Sequence, residues 1–327
     1  MTEMEMLIIV VKTVIIVSVF MLFVMYAQYF ERKIIAHMQA RLGPMRVGWH
    51  GILQPIADSL KLFLKEDIIP SSADKPIFYI APIIGVIAAL CSLAVIPFWE
   101  GLGVANLNIG ILYILALSSV GAYCVILGGW ASNSKYSFLG GLRSSAQVIS
   151  YEIPMGLSLV GVMMMAGSAN LSDIVKAQSG HWFLWYQPLA CFVFVMSAIA
   201  ETNRAPFDLS EAETELVAGF ATEYSGMRWA LFFMAEYASM FVMTALGTIC
   251  FLGGWNGPDF GIFAHVPGIV WLTLKMSACI FIYFWIRATL PRYRYDQLMS
   301  IGWKIFIPLS LANIVVTGLV KILWIAK

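Results

Sequence analysis

Charge is scarce in this 327-residue chain: Asp, Glu, Lys and Arg make up 12% of it and nearly cancel, to a net +1. With 60% hydrophobic residues, that balance provides no basic surface for nucleic acid. It is also far from soluble composition and leaves a polytopic membrane protein. The five cysteines, Cys91, Cys124, Cys191, Cys250 and Cys279, never form a C-x-x-C pair, so neither zinc nor an iron–sulfur cluster is expected on this chain. The four histidines, His37, His50, His181 and His265, fall between apolar runs, which excludes axial ligation of a haem inside a span. No clear internal repeat is visible, whereas a free-standing ion or solute transporter usually carries two halves with matching interrupted helices. The acidic start, Met1-Thr2-Glu3-Met4-Glu5, lacks the basic opening of a secretory signal, so the first apolar run is expected to remain as a span.

What is abundant is long apolar sequence. Eight runs approach or reach the ~20 residues that cross a bilayer: roughly 6–30, 77–98, 108–130, 144–166, 183–200, 229–253, 266–288 and 303–325, the fifth being the shortest. They are expected to be helical, because backbone polar groups in lipid must be satisfied within the segment. The expected fold is therefore all-α, a single transmembrane domain over 1–327. Lys and Arg concentrate in alternate connections, as Arg32, Lys33, Arg41, Arg46, Lys61, Lys65 and Lys75, then Lys135 and Arg143, Arg204 and Arg228, and Arg287, Arg292, Arg294 and Lys304. The other connections hold only Lys176. This asymmetry puts loops of about 31–76, 131–143, 201–228 and 289–302 in the cytoplasm and both termini outside.

Residues 52–66 place Gln54, Asp58, Lys61 and Lys65 on one narrow stripe, with Ile52, Ile56, Leu60 and Phe63 opposite. Such a segment is too short and too charged to cross and is expected to lie along the membrane interface. Away from the first and last few residues of each apolar run, four ionisable residues fall inside: Lys12, Glu152, Glu236 and Lys275. Each costs ~2.5–3.5 kcal/mol at a helix centre, so each needs a reason. Lys12 is near enough to an end to snorkel. Lys275 is about nine residues deep and is a possible partner for Glu152 or Glu236. The two acids either pack through a hydrogen bond or handle protons.

Between 200 and 223 the balance of charge changes. Glu201, Asp208, Glu211, Glu213, Glu215 and Glu223 face a single cation, Arg204, which is expected to pair with an acid of its own loop. Pro206 ends any helix arriving from the fifth run, and Ser210 with Glu213 has the form of a capping box that would start a short helix. On charge alone this is either a solvated connector or the polar wall of a proton-handling cavity.

The same residues carry a resemblance. Glu201-Thr202-Asn203-Arg204-Ala205-Pro206-Phe207-Asp208-Leu209-Ser210-Glu211-Ala212-Glu213, with Glu215-Leu216-Val217-Ala218-Gly219-Phe220 and Glu223-Tyr224-Ser225, resembles the signature loop of the H-type membrane subunit family of respiratory NADH:quinone oxidoreductase (complex I), called NADH dehydrogenase subunit 1 in mitochondria. Glu31-Arg32-Lys33, Arg41-Leu42-Gly43-Pro44, Gln54-Pro55-Ile56-Ala57-Asp58, Tyr151-Glu152, Arg287-Ala288 and Leu290-Pro291-Arg292-Tyr293-Arg294 fit as well, and Met45 stands where many members have Asn. The resemblance implies a subunit with no redox centre of its own in the bacterial inner membrane, or the mitochondrial one if organellar. It implies quinone as substrate, ubiquinone or menaquinone, and NADH, FMN and iron–sulfur clusters in partner subunits. Those partners would be the terminal iron–sulfur subunit, the 49-kDa-type subunit and small membrane subunits next to the pump arm. Glu201, Arg204, Asp208, Glu211, Glu213, Glu215 and Glu223, with Glu152 and Glu236, would couple quinone reduction to proton translocation. Glu31, Arg32, Asp58, Lys61, Phe220 and Arg294 would line the quinone chamber and its mouth. The alternative is the homologous membrane subunit of a hydrogenase or ferredoxin-linked complex.

Overall fold

The structure, a computed structural model, describes residues 3–208, 217–257 and 265–325. All regular elements among them are helical. In chain order they are α1 (Glu3–Met38), α2 (Gln54–Leu64), α3 (Lys75–Leu93), α4 (Gly110–Ala131), α5 (Lys135–Ala166), α6 (Leu171–Ala177), α7 (Phe183–Tyr186) and α8 (Pro188–Glu201). After the acidic stretch come α9 (Gly226–Phe251), α10 (Gly268–Thr289), α11 (Tyr295–Ile301) and α12 (Ile307–Ile325), the last two joined by a π-helical turn at Gly302–Phe306.

Among the described residues, seven helical segments are long and apolar enough to cross a membrane, with α11 to α12 counted as one. The fifth apolar run, expected as an eighth span, is broken instead. Gln187 stands between α7 and α8, where it donates to the Gly161 carbonyl (2.9 Å), and Pro188 opens α8. The 14 residues of α8 reach only about 21 Å at 1.5 Å per residue. Two helices run further than hydropathy suggests. α1 continues through Glu31-Arg32-Lys33 to Met38, because no breaker precedes Gly43-Pro44, and α5 starts at Lys135.

Contacts sort the helix ends into two sides. On one, Asn133 reaches the Ser72 carbonyl, Arg204 reaches Glu31, and Tyr293 N–H reaches the Pro206 carbonyl. On the other, Lys12 reaches the Gly101 carbonyl and Asn256 the Val175 carbonyl. The first is the side rich in Lys and Arg and is called the basic side below.

α5 lies at the centre and buries Tyr151, Met155, Leu159 and Val162 in a core with Val193, Phe194 and Ala198 of α8 and the Met240–Ile249 part of α9. In lipid, helices gain little from hydrophobic exclusion and associate through close packing over small residues. Gly140 of α5 is such a point: a Cβ there would stand 2.7 Å from the Gly219 Cα. α1 and α12 leave Val10, Val14, Val315, Leu319 and Ile322 exposed, as lipid-facing helices do.

Candidate functional site

The basic side holds a buried network of charge. Glu31, on the last third of α1, is 3% exposed. It accepts a hydrogen bond from the Tyr237 phenol at 2.8 Å, from Arg204 at 3.3 Å and from Arg287, the last a very short contact. Arg204 is shared, because its Nε lies 2.8 Å from Glu236 Oε1. Its guanidinium also sits 4.3 Å from the centre of the Tyr237 ring. Two carboxylates and two guanidinium groups from α1, α9, α10 and the turn after α8 thus balance within one cluster. A buried charge is tolerable only when paired and hydrogen-bonded in this way.

The sequence positions Arg204 through its backbone. Gln147 of α5 donates from its side-chain amide to the Ala200 and Phe207 carbonyls, both at 2.7 Å. Asn203 adopts φ 49°, the left-handed region that Asn tolerates better than most residues. The Phe207 ring stacks on Tyr293 at 5.6 Å. These contacts turn the chain back beneath α5 and aim Arg204 at α1.

Two cavities flank the network. The first, of about 200 Å³, opens between α1, α2 and α9 and is lined by Met21, Met25, Pro55, Phe63, Met234 and Tyr237, among others. The second, of about 110 Å³, lies inside the bundle, where Ser118, Glu201, Asn203, Phe220, Glu236 and Ser239 contribute to its wall. Tyr237 belongs to the first and its neighbour Glu236 to the second. Glu152 continues the line of acids: it accepts a very short hydrogen bond from Ser119 of α4 and lies close enough to Glu201 to repel it electrostatically.

The remaining expected residues divide. Arg32 and Asp58 form an ion pair at 2.7 Å that ties α2 to α1, and Gln54 donates to Asp58 at 3.0 Å. Lys61 is exposed on α2, and Lys65 is its exposed C-cap, while Ile56, Leu60, Phe63 and Leu64 are also exposed. Asp208 is buried and paired with Arg292 at 3.0 Å. Phe220 packs edge-on against Phe232 at 5.2 Å, and Glu223 is half-buried. Next to it, burial pushes the Tyr224 phenol above its ordinary pKa, so it stays neutral and acts as a stacked ring on Phe78 at 3.9 Å. Arg294 is 80% exposed at the start of α11, where its side chain lies 3.5 Å from the solvated Asp296, and it lines neither cavity. Glu211, Glu213 and Glu215, and the capping box at Ser210 and Glu213, lie outside the described residues.

Among the described residues Arg204 meets Glu31 and Glu236, which lie far away in sequence, because the turn at 202–207 directs the guanidinium inward; the acids of its own loop at 211, 213 and 215 lie outside the described residues. One expectation changes. Lys275 pairs with neither Glu152 nor Glu236. Its ammonium is bound on the side opposite the basic one, by the Leu252, Gly254 and Asn256 carbonyls. Composition and spacing gave no hint that Tyr237 and Arg287 close the network, since their partners lie 206 and 256 residues away. Ser118 and Ser119 carried no signal either.

The profile of the NADH dehydrogenase family matches residues 11–318. The first of the H-type subunits of NADH-quinone oxidoreductase from Geobacter sulfurreducens is 55% identical, over 95% of this chain and 94% of its own length. The H-type subunit from Magnetococcus marinus is 52% identical, over 95% and 90% respectively. Its counterpart from Paramagnetospirillum magneticum is 52% identical, over 96% and 92%. The chain therefore belongs to the NADH dehydrogenase family, among the multi-pass membrane proteins named as the H-type subunit of NADH-quinone oxidoreductase.

Proposed function

We propose that this chain forms the membrane wall of a quinone chamber in a proton-translocating NADH:quinone oxidoreductase and passes the charge change of quinone reduction inward. The observation that carries the reading is the charge-balanced network set between a cavity open towards α2 and an inner cavity lined by Glu201 and Glu236. The quinone tail enters the mouth between α1, α2 and α9, where the walls are apolar and methionine-rich. The basic side faces the cytoplasm, where the hydrophilic arm that brings NADH, FMN and iron–sulfur clusters closes the chamber. The two electrons of reduction put negative charge on the quinone until two protons neutralise it, so charge appears transiently beside Tyr237 and Glu31. A unit charge about 4 Å from an ionisable group shifts it by about 4 kcal/mol at an effective dielectric of 20, or about three pKa units.

Arg204 is the movable part. Drawn towards Glu31, it loosens its hold on Glu236, which then gains affinity for a proton. Glu201 and Glu152 continue the path, and repulsion along a line of acids couples their titrations. The acids at 211, 213, 215 and 223 complete the cytoplasmic end. A photoreactive quinone analogue tests the mouth directly: it should label α2 or the adjoining parts of α1 and α9, with Phe63 and Met234 as principal targets. Labelling confined to the opposite side would refute the assignment.

A further inference from the structure

Lys275 is a deep cation that the network does not use. It is 7% exposed, and among the described residues no carboxylate lies within ion-pairing distance. Its Nζ donates to the Leu252, Gly254 and Asn256 carbonyls at 2.6, 3.0 and 2.6 Å, and stands 4.7 Å from the centre of the Trp182 ring. An ammonium has three donors and no acceptor. All three are therefore used, and the ring face takes the remaining side of the cation.

The cup is built by the sequence that ends α9. Gly254 N–H returns to the Thr248 carbonyl at 2.9 Å, which closes the helix in a glycine-dependent turn. Gly253 and Gly254 have φ 72° and 53°. A Cβ on Gly253 would lie 2.9 Å from Trp182, and one on Gly254 would lie 2.7 Å from Val175. These two residues let the chain turn its carbonyls towards a single point. The neighbouring acceptor, the Ile249 carbonyl, is taken by Gln178 at 2.8 Å. The cation also sits at the negative end of the α9 dipole.

We propose that this carbonyl cup is a site for a small monovalent ammonium group, that Lys275 is its tethered occupant, and that the bond fixes the register of α10 against α9. Register matters because α9 carries Glu236 and Tyr237 while α10 carries Arg287. From Leu252 back to Glu236 is about 24 Å along α9, and from Lys275 on to Arg287 about 18 Å along α10, at 1.5 Å per residue. Lys275 is thus a positioning residue for the network, a role that rests on the coupling function proposed above. The cup itself does not rest on it.

Chemical rescue tests this in the assembled complex. Lys275→Ala deletes the length of a propylammonium ion, and Lys275→Met fills the space without charge. Both variants should melt at lower temperature and lose about tenfold in quinone turnover, with little change in KM for quinone because the cup is remote from both cavities. Propylammonium should restore melting temperature and turnover to Lys275→Ala and not to Lys275→Met. 1-Propanol should restore neither. Wild-type melting and turnover in Lys275→Met would overturn the proposal, as would an equal response of Lys275→Ala to propylammonium and propanol, including no response. Lower melting with unchanged turnover would overturn the positioning role. Unchanged turnover in Glu236→Gln would strike the coupling function instead and leave the melting result standing.

Discussion

Replacing Arg204 in two steps separates its charge from its shape. Arg204 is about 5% exposed and bridges Glu31 at 3.3 Å and Glu236 at 2.8 Å through different nitrogens of one planar group. Lysine keeps the charge but concentrates it on one atom, which cannot span both carboxylates in that geometry. Arg204→Lys should lose one charge-assisted hydrogen bond, worth ~1.5–3 kcal/mol. If that loss falls on the coupling step, turnover drops by about ten- to a hundredfold. Arg204→Met removes the cation and leaves Arg287, which contacts Glu31, as the remaining described guanidinium of the cluster. Breaking a buried pair this way costs ~3–5 kcal/mol, so one carboxylate takes up a proton and turnover falls by at least another tenfold. The assay is quinone-dependent NADH oxidation by membranes in which assembly has been quantified on native gels. NADH oxidation by a hydrophilic acceptor serves as the control for the rest of the complex. An assembled Arg204→Met complex with wild-type turnover would refute the reasoning.

Gly140→Ala should force α5 away from the 219–221 turn, since the new methyl would meet Gly219 backbone at 2.7 Å. The cost is ~1–3 kcal/mol or more, read as reduced assembly on a native gel. Leu64→Asp, on the exposed face of α2, should raise KM for long-tailed quinones more than for short-tailed ones. Equal effects on both would detach α2 from the tail path. A fluorescent reporter active only in the cytoplasm should stay dark when fused after Lys327, and bright cells would reverse the orientation drawn from Lys and Arg.

Much of this architecture can be read in the sequence because lipid imposes simple rules on it. Seven of the eight long apolar runs became long helices at nearly the expected places, and α2 emerged from its one-sided polar stripe. That the fifth run, already the shortest, divides into α7 and α8 was not legible, because hydropathy averages over Gln187, whose amide is satisfied by another helix and so interrupts the helix at no visible cost in composition. The acids at 152 and 236 stood out because carboxylates in apolar runs are rare, and Glu201 because it opens the acidic stretch. Their partners did not, since pairing is decided by which helices pack together. Glu31 looks like the polar end of a span until α9 and α10 bring Tyr237 and Arg287 to it. Lys275 invited the wrong partner for the same reason: depth along a helix gives a distance from the membrane surface but not the neighbour at that depth.

Glutamine at both 152 and 236 tests the central claim most directly. The amide keeps the size and one accepting oxygen of each side chain, so Ser119 still has a partner at 152 and packing is preserved. Charge and titration are lost. In assembled complex, the ratio of protons translocated to NADH oxidised should be measured together with quinone turnover, in sealed vesicles. The account predicts that turnover and translocation fall together. Normal turnover with a normal ratio would contradict it and leave these carboxylates with a packing role alone.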